Sequence, residues 1–95
     1  MLLHLVCFKY KTDVDAESRT QHRARLSALK DIDGITDLKV GNDVVRSPRS
    51  YDTGLAITFR DRAALDGYQQ NPRHVPVARL GVDLSEHIVA VDFEL

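Results

Sequence analysis

Leu2-Leu3-His4-Leu5-Val6-Cys7-Phe8, and near the other end of the chain Ile88-Val89-Ala90-Val91-Asp92-Phe93, are the two stretches that decide the fold. Read with the two-residue period of a strand, the first sends Leu2, Val6 and Phe8 one way and Leu3, Leu5 and Cys7 the other. The second sets Ile88 and Ala90 against Val89, Val91 and Phe93. A strand that is apolar on both faces wants cover on both.

Outward from these stretches, residues 2–10 form a first strand bounded by Lys11-Thr12-Asp13. Asp15-Ala16-Glu17 opens a helix with acidic residues where the dipole favours them, and Asp33-Gly34 closes it. Leu26, Leu29 and Ile32 are its apolar positions, with Ala24 and Ala28 beside them. A second strand lies in Ile35–Val45, with Leu38 and Val40 on one face and Asp37 and Lys39 on the other. Residues 46–50 (RSPRS) are turn chemistry, and Tyr51–Phe59 is a third strand with Thr53, Leu55, Ile57 and Phe59 aligned. Asp61 caps a short helix carrying Ala64, Leu65 and Tyr68. Asn71-Pro72 marks another helix start, although Pro76 allows the helix proper to restart there instead. His87–Phe93 is the fourth strand. This strand, helix, strand, strand, helix, strand order is the α+β ferredoxin-like βαββαβ pattern, a four-stranded antiparallel sheet with helices on one face. The helices cover one face only. A second copy of the sheet is the simplest cover for the other, which predicts a homodimer closed through the open sheet face. At about 25 cal/mol per Å2, burying hundreds of Å2 of apolar surface per partner favours assembly by many kcal/mol before association costs.

Composition sets the outer bounds. Ninety-five residues, 43% hydrophobic and 28% charged, make one folded domain spanning 1–95. Thirteen Lys and Arg against fourteen Asp and Glu leave no basic field to draw nucleic acid or an anionic membrane. Cys7 is the only cysteine, so there is no disulfide scaffold, and its apolar neighbours predict a buried, inert thiol. The opening residues are too short for a membrane helix and lack signal-peptide features, so the expected location is cytoplasmic.

The residues now support a resemblance. His4-Leu5-Val6-Cys7-Phe8-Lys9-Tyr10-Lys11 is similar to the "H-hydrophobic-V-x-F-K-F-K" opening of the stress-responsive A/B barrel (Dabb) domain. Gly34-Ile35, Val40-Gly41-Asn42-Asp43, Tyr51-Asp52, Thr58-Phe59, residues 65–74 (LDGYQQNPRH) and Val91-Asp92-Phe93-Glu94 also resemble that family, in its order and end to end. The resemblance implies a dimeric α+β barrel of two ferredoxin-like sheets packed face to face. It also implies a pocket between sheet and helices, where the family's polyketide cyclases perform aldol chemistry without metal or organic cofactor. Many members have no established reaction, and related cofactor-free monooxygenases share the architecture.

By this resemblance His74, in the "N/H-P-x-H" segment, is the candidate general base, and Tyr68 the donor to a substrate carbonyl. A His at a helix start is disfavoured as a cation, which keeps it basic. The plain alternative is a His that caps its turn and a core Tyr whose hydroxyl reaches the surface. By the same resemblance the strand faces carrying His4 and Asp92 turn inward, where an acid could orient a histidine or the pair could simply satisfy one another. His22 falls in step with Leu26 on the inward stripe of the first helix, or is solvated at its edge. Val6, Phe8, Leu26 and Leu55 complete the expected pocket lining. No His pair has ligand spacing such as H-x3-H, so no metal is expected. His87 lies toward the expected dimer interface and reads as structural, and the charged run Glu17–Arg25 reads as a wet helix face. Thr53 stands where some cyclases carry a pocket His, a departure from the pattern. Three functions follow: a small-molecule enzyme or binder with cyclase-like lyase chemistry, a non-enzymatic stress-responsive dimer, or a cofactor-free monooxygenase.

Overall fold

A computed structural model describes residues 1–95. Its strands are β1 (Leu2–Tyr10), β2 (Ile35–Asn42), β3 (Thr53–Phe59) and β4 (Ser85–Glu94), and its helices are α1 (Ala16–Ser27), α2 (Arg62–Gln70) and α3 (His74–Leu84). The strands form one antiparallel sheet in the order β2-β3-β1-β4, the ferredoxin-like arrangement. All three helices bury residues against the face that carries Leu2, Val6, Phe8 and Tyr10 of β1 and Leu55, Ile57 and Phe59 of β3. No helix is long and apolar enough to cross a membrane.

The element boundaries differ from the sequence reading in physically simple ways. The first helix stops at Ser27 and tightens into a 3₁₀ turn, Ala28–Asp31, before Ile32 turns extended. Three residues per turn stacks residues three apart, and Leu26, Leu29 and Ile32 are all buried on one line. The second strand ends at Asn42 rather than Val45, and Val44 and Val45 stand out in solvent. Residues 43–52 form a loop tied by Asp43 and Asp52 instead. The last helix begins at His74, neither at Pro72 nor at Pro76. Asn71 closes α2, its carbonyl accepts the N–H of His74 (2.9 Å) and of Val75 (3.1 Å), and Pro76 falls in the first turn, where its missing N–H has no partner to lose.

The second sheet face is open. Rows across β4, β1 and β3 place Phe93 beside Leu3 and Thr58, Val91 beside Leu5 and Ala56, and Val89 beside Cys7 and Gly54. Val89, Val91 and Phe93 are 50%, 57% and 45% exposed in the single chain. His87, opposite Lys9, lies on the same face. Cys7 is a correction: it is exposed, because it sits at the middle of the uncovered face rather than in the core.

Candidate functional site

Two polar clusters stand on the inner face of β1, one at His4 and one at Tyr10. Around the first, His4 is the register partner of Asp92, and His4 Nδ1 hydrogen-bonds Asp92 Oδ1. The His4 ring meets Phe59 and Tyr68 edge-on, each with centroids 6.1 Å apart. Tyr68 reaches it because Asp61 caps α2, its carboxylate accepting the N–H of Ala64 at 2.8 Å, which turns Ala64, Leu65 and Tyr68 toward the sheet. His74, the first residue of α3, lies across Tyr68 with centroids 4.0 Å apart and ring planes 36° apart.

Electrostatics sorts the roles these groups can fill. Burial pushes the Tyr68 phenol up to about 12, so it stays a protonated donor. Burial pulls His74 below the ordinary histidine value, opposed by a backbone hydrogen bond at Gln69 and assisted by the nearby His4. His74 is therefore neutral at pH 7. Its Nδ1 is buried without a hydrogen-bond partner, one of three buried side-chain polar atoms in the chain left so.

His22 belongs to the second cluster and not to the first. It is fully buried rather than solvated at the helix edge. Its Nδ1 lies 2.6 Å from the Tyr10 hydroxyl, which donates to Thr53 Oγ1 at 2.9 Å. The ring stands edge-on to Phe8 and Tyr10, and Gly81 of α3 closes over it; a Cβ on Gly81 would come within 3.2 Å of His22 Nε2. Burial, then the charges of Arg23 and Arg25, lower His22 to about 4. Tyr10 was not singled out in the sequence, although it continues the inward series of residues 2, 4, 6 and 8. Thr53, read as a departure, is the acceptor for the Tyr10 hydroxyl, and His22 Nε2 is left buried without a partner.

The space between sheet and helices is filled where a pocket was expected. Val6, Phe8, Leu26 and Leu55 are core residues, 3–8% exposed. Stacking of His74 on Tyr68 and the close approach permitted by Gly81 account for the closure. The largest cavity, about 440 Å3, is a surface groove lined by Leu2, Arg62, Leu65, Asp66, Gln69, Asp92, Phe93 and Glu94. It reaches the outer side of the His4–Asp92 pair, whose carboxylate is partly exposed, but neither His74 nor Tyr68 lines it. No three His, Cys, Asp or Glu side chains are grouped as a metal site.

The architecture is shared with solved structures. A dimeric ferredoxin-like protein of unknown function from Thermobifida fusca is 22% identical, with a TM-score of 0.91 over 99% of this chain and 90% of its own. A second dimeric ferredoxin-like protein, from Jannaschia sp., is 27% identical, with a TM-score of 0.84 over 99% and 98%. A hydroxynitrile lyase from Passiflora edulis is 19% identical, with a TM-score of 0.89 over 99% and 92%. No curated protein matches the sequence. The profile of the stress responsive A/B barrel domain matches residues 2–95, and the chain belongs to that family.

Proposed function

We propose that the protein is a homodimer, paired through its open sheet face, that acts on a small oxygenated organic substrate at the His4–Tyr68–His74–Asp92 cluster without a cofactor. His74 is the general base, Tyr68 the donor to the substrate oxygen, and Asp92 fixes the ring of His4 beside them. The buried, unpartnered Nδ1 of His74, stacked on a phenol that stays protonated, carries this reading. In the elementary step His74 takes a proton from a carbon flanked by carbonyls. The electron pair moves onto the carbonyl oxygen, where the Tyr68 O–H stabilises it; the enolate carbon then bonds to a second carbonyl carbon, and the alkoxide formed there takes the proton back from His74. A cyanohydrin offers the same groups a hydroxyl proton instead: its loss lets the C–CN bond break, leaving a carbonyl and cyanide. Substrate entry requires the rings to part, and the groove lined by Asp92 is the proposed way in.

A second reading draws on the packed interior: a stress-associated dimer in which the histidines are structural. One experiment separates the two. Wild type and His74→Ala are assayed for cyanide release from an aromatic cyanohydrin and for cyclisation of a linear diketo thioester. The catalytic reading expects roughly a hundredfold or greater loss in His74→Ala at unchanged dimer mass. Because the neutral imidazole is the base and its pKa lies below 6.5, wild-type activity should persist to mildly acidic pH and fall only as His74 protonates. Full activity in His74→Ala removes the assigned base. Turnover of neither probe, with a lower melting temperature in His74→Ala, selects the structural dimer.

A further inference from the structure

Arg19 and Arg23, four residues apart on α1, face Arg46 of the loop between β2 and β3 across a groove of about 290 Å3 that also holds Asn42, Asp43 and Asp52. Three guanidinium groups against two carboxylates leave this groove positive, and the carboxylates are already engaged. Asp43 accepts the backbone N–H of Arg46 at 2.6 Å and its Nη1 at 3.3 Å. Asp52 accepts the backbone N–H of Tyr10 at 2.8 Å and Nη2 of Arg46 at 2.7 Å, with Arg19 at 3.8 Å. Arg19 also donates to the carbonyls of Val14 and Lys11. Arg23 has no carboxylate. Its two terminal nitrogens reach only the hydroxyl oxygens of Thr53 and Thr20, at 3.3 and 3.4 Å, long for N–H···O bonds and without charge on the acceptor.

The loop is held so as to present Arg46 to this groove. Arg46 has a φ of 55°, the one non-glycine residue in the left-handed region, and its side chain bridges Asp43 and Asp52. An oxyanion with several acceptor oxygens would supply what Arg23 lacks, since a guanidinium offers paired, coplanar donors. We propose that this groove binds a small anion, a carboxylate or phosphate group held between Arg23 and Arg46. The site is independent of the His74 cluster: Tyr10 lies six steps along β1 from His4, roughly 20 Å at strand spacing, beyond the span of one small substrate. It is linked to the core, because Thr53 Oγ1 accepts from both Arg23 and Tyr10, whose hydroxyl bonds His22.

The test is titration of the full-length protein at low ionic strength with succinate and, separately, inorganic phosphate, followed by amide chemical shifts. Sodium chloride at matched ionic strength serves as the screening control. Saturable shifts at Arg23, Arg46 and Thr53 with one probe or both are expected, and the stronger probe identifies the anion class. Arg23→Gln should weaken that binding at least tenfold, about one unit in log Kd. Arg79→Gln, an arginine on α3 outside the groove, should leave it unchanged. No saturable response to either probe up to about 10 mM overturns the proposal, as does undiminished binding by Arg23→Gln.

Discussion

Gly34→Ala is expected to destabilise the fold by roughly 3 kcal/mol, seen as a large fall in the urea midpoint at fixed protein concentration. Two independent costs meet at this residue. Its φ of +92° is open to glycine and disfavoured for any residue with a Cβ, about 1–2 kcal/mol for alanine. The added methyl would also sit 2.5 Å from Cβ of Ala64, itself a short, rigid side chain on a packed helix. The only relief is a shift of α2 away from β2, an overpacking cost of about 1–3 kcal/mol. Gly34 must also hold its place because its carbonyl accepts the N–H of Arg60 at 2.9 Å, closing the end of β3. Gly67→Ala is the matched control. It lies inside α2 with nothing within 4 Å of a new methyl, and should stabilise by up to about 1 kcal/mol. Equal midpoints for the two variants would contradict this packing of β2 on α2.

Acidification from pH 7 to pH 4 should cost the protein about 3 kcal/mol through His22 alone. The unfolded chain offers this histidine its ordinary value of 6.5, whereas in the fold burial, aided by Arg23 and Arg25, holds it near 4. Between those values the unfolded state carries the extra proton, so stability rises with pH across the window. The contribution is complete above pH 6.5 and is lost as pH falls toward 4, at about 1.4 kcal/mol per pH unit. His74, also lowered by burial, adds in the same direction. Asp52 is lowered from 3.8 despite its burial, by the Tyr10 N–H and by Arg46, so it is still ionised throughout that window. Urea unfolding at a series of pH values checks the slope. His22→Phe, which keeps an aromatic ring under Gly81 and cannot titrate, should remove about one proton's worth of slope whatever its stability at pH 7. An unchanged slope in that variant would assign the acid sensitivity elsewhere.

The strand alternation was legible because it rests on side-chain parity alone. Positions 2, 4, 6 and 8 of β1, and 53, 55, 57 and 59 of β3, could each be grouped on one face, but which face of β1 turns inward followed only from the family resemblance. Parity set His4 with Val6 and Phe8 and Asp92 with Ile88 and Ala90, the resemblance turned both faces inward, and the register makes the two residues direct partners. Helix ends were harder to read. Leu26, Leu29 and Ile32 suit either an α-helix or a tighter turn, and only packing on the sheet selects the 3₁₀ geometry. Loop 43–52 followed the same rule in reverse: Val44 and Val45 look like strand residues, but the Asp43–Arg46–Asp52 bonds hold the backbone elsewhere. The histidines show where sequence reading stops. Helical spacing put His22 on an inward stripe, yet which end of the sheet it meets depends on the seat of α1. The partner it found, Tyr10, lies one step beyond the series that had been assigned. Whether the space under the helices is open or filled depends on how closely Gly81 lets α3 approach Phe8 and His22, which no pattern of residue types encodes.

The proposed homodimer requires that the apolar rows of Leu3 with Phe93 and Leu5 with Val91 meet a second copy of themselves, since the uncovered face otherwise leaves Val89, Val91 and Phe93 in water. Sedimentation equilibrium at low micromolar concentration tests this directly. The account predicts one folded species of twice the 10.7 kDa chain mass. A stable, cooperatively folded species of 10.7 kDa under those conditions would contradict it.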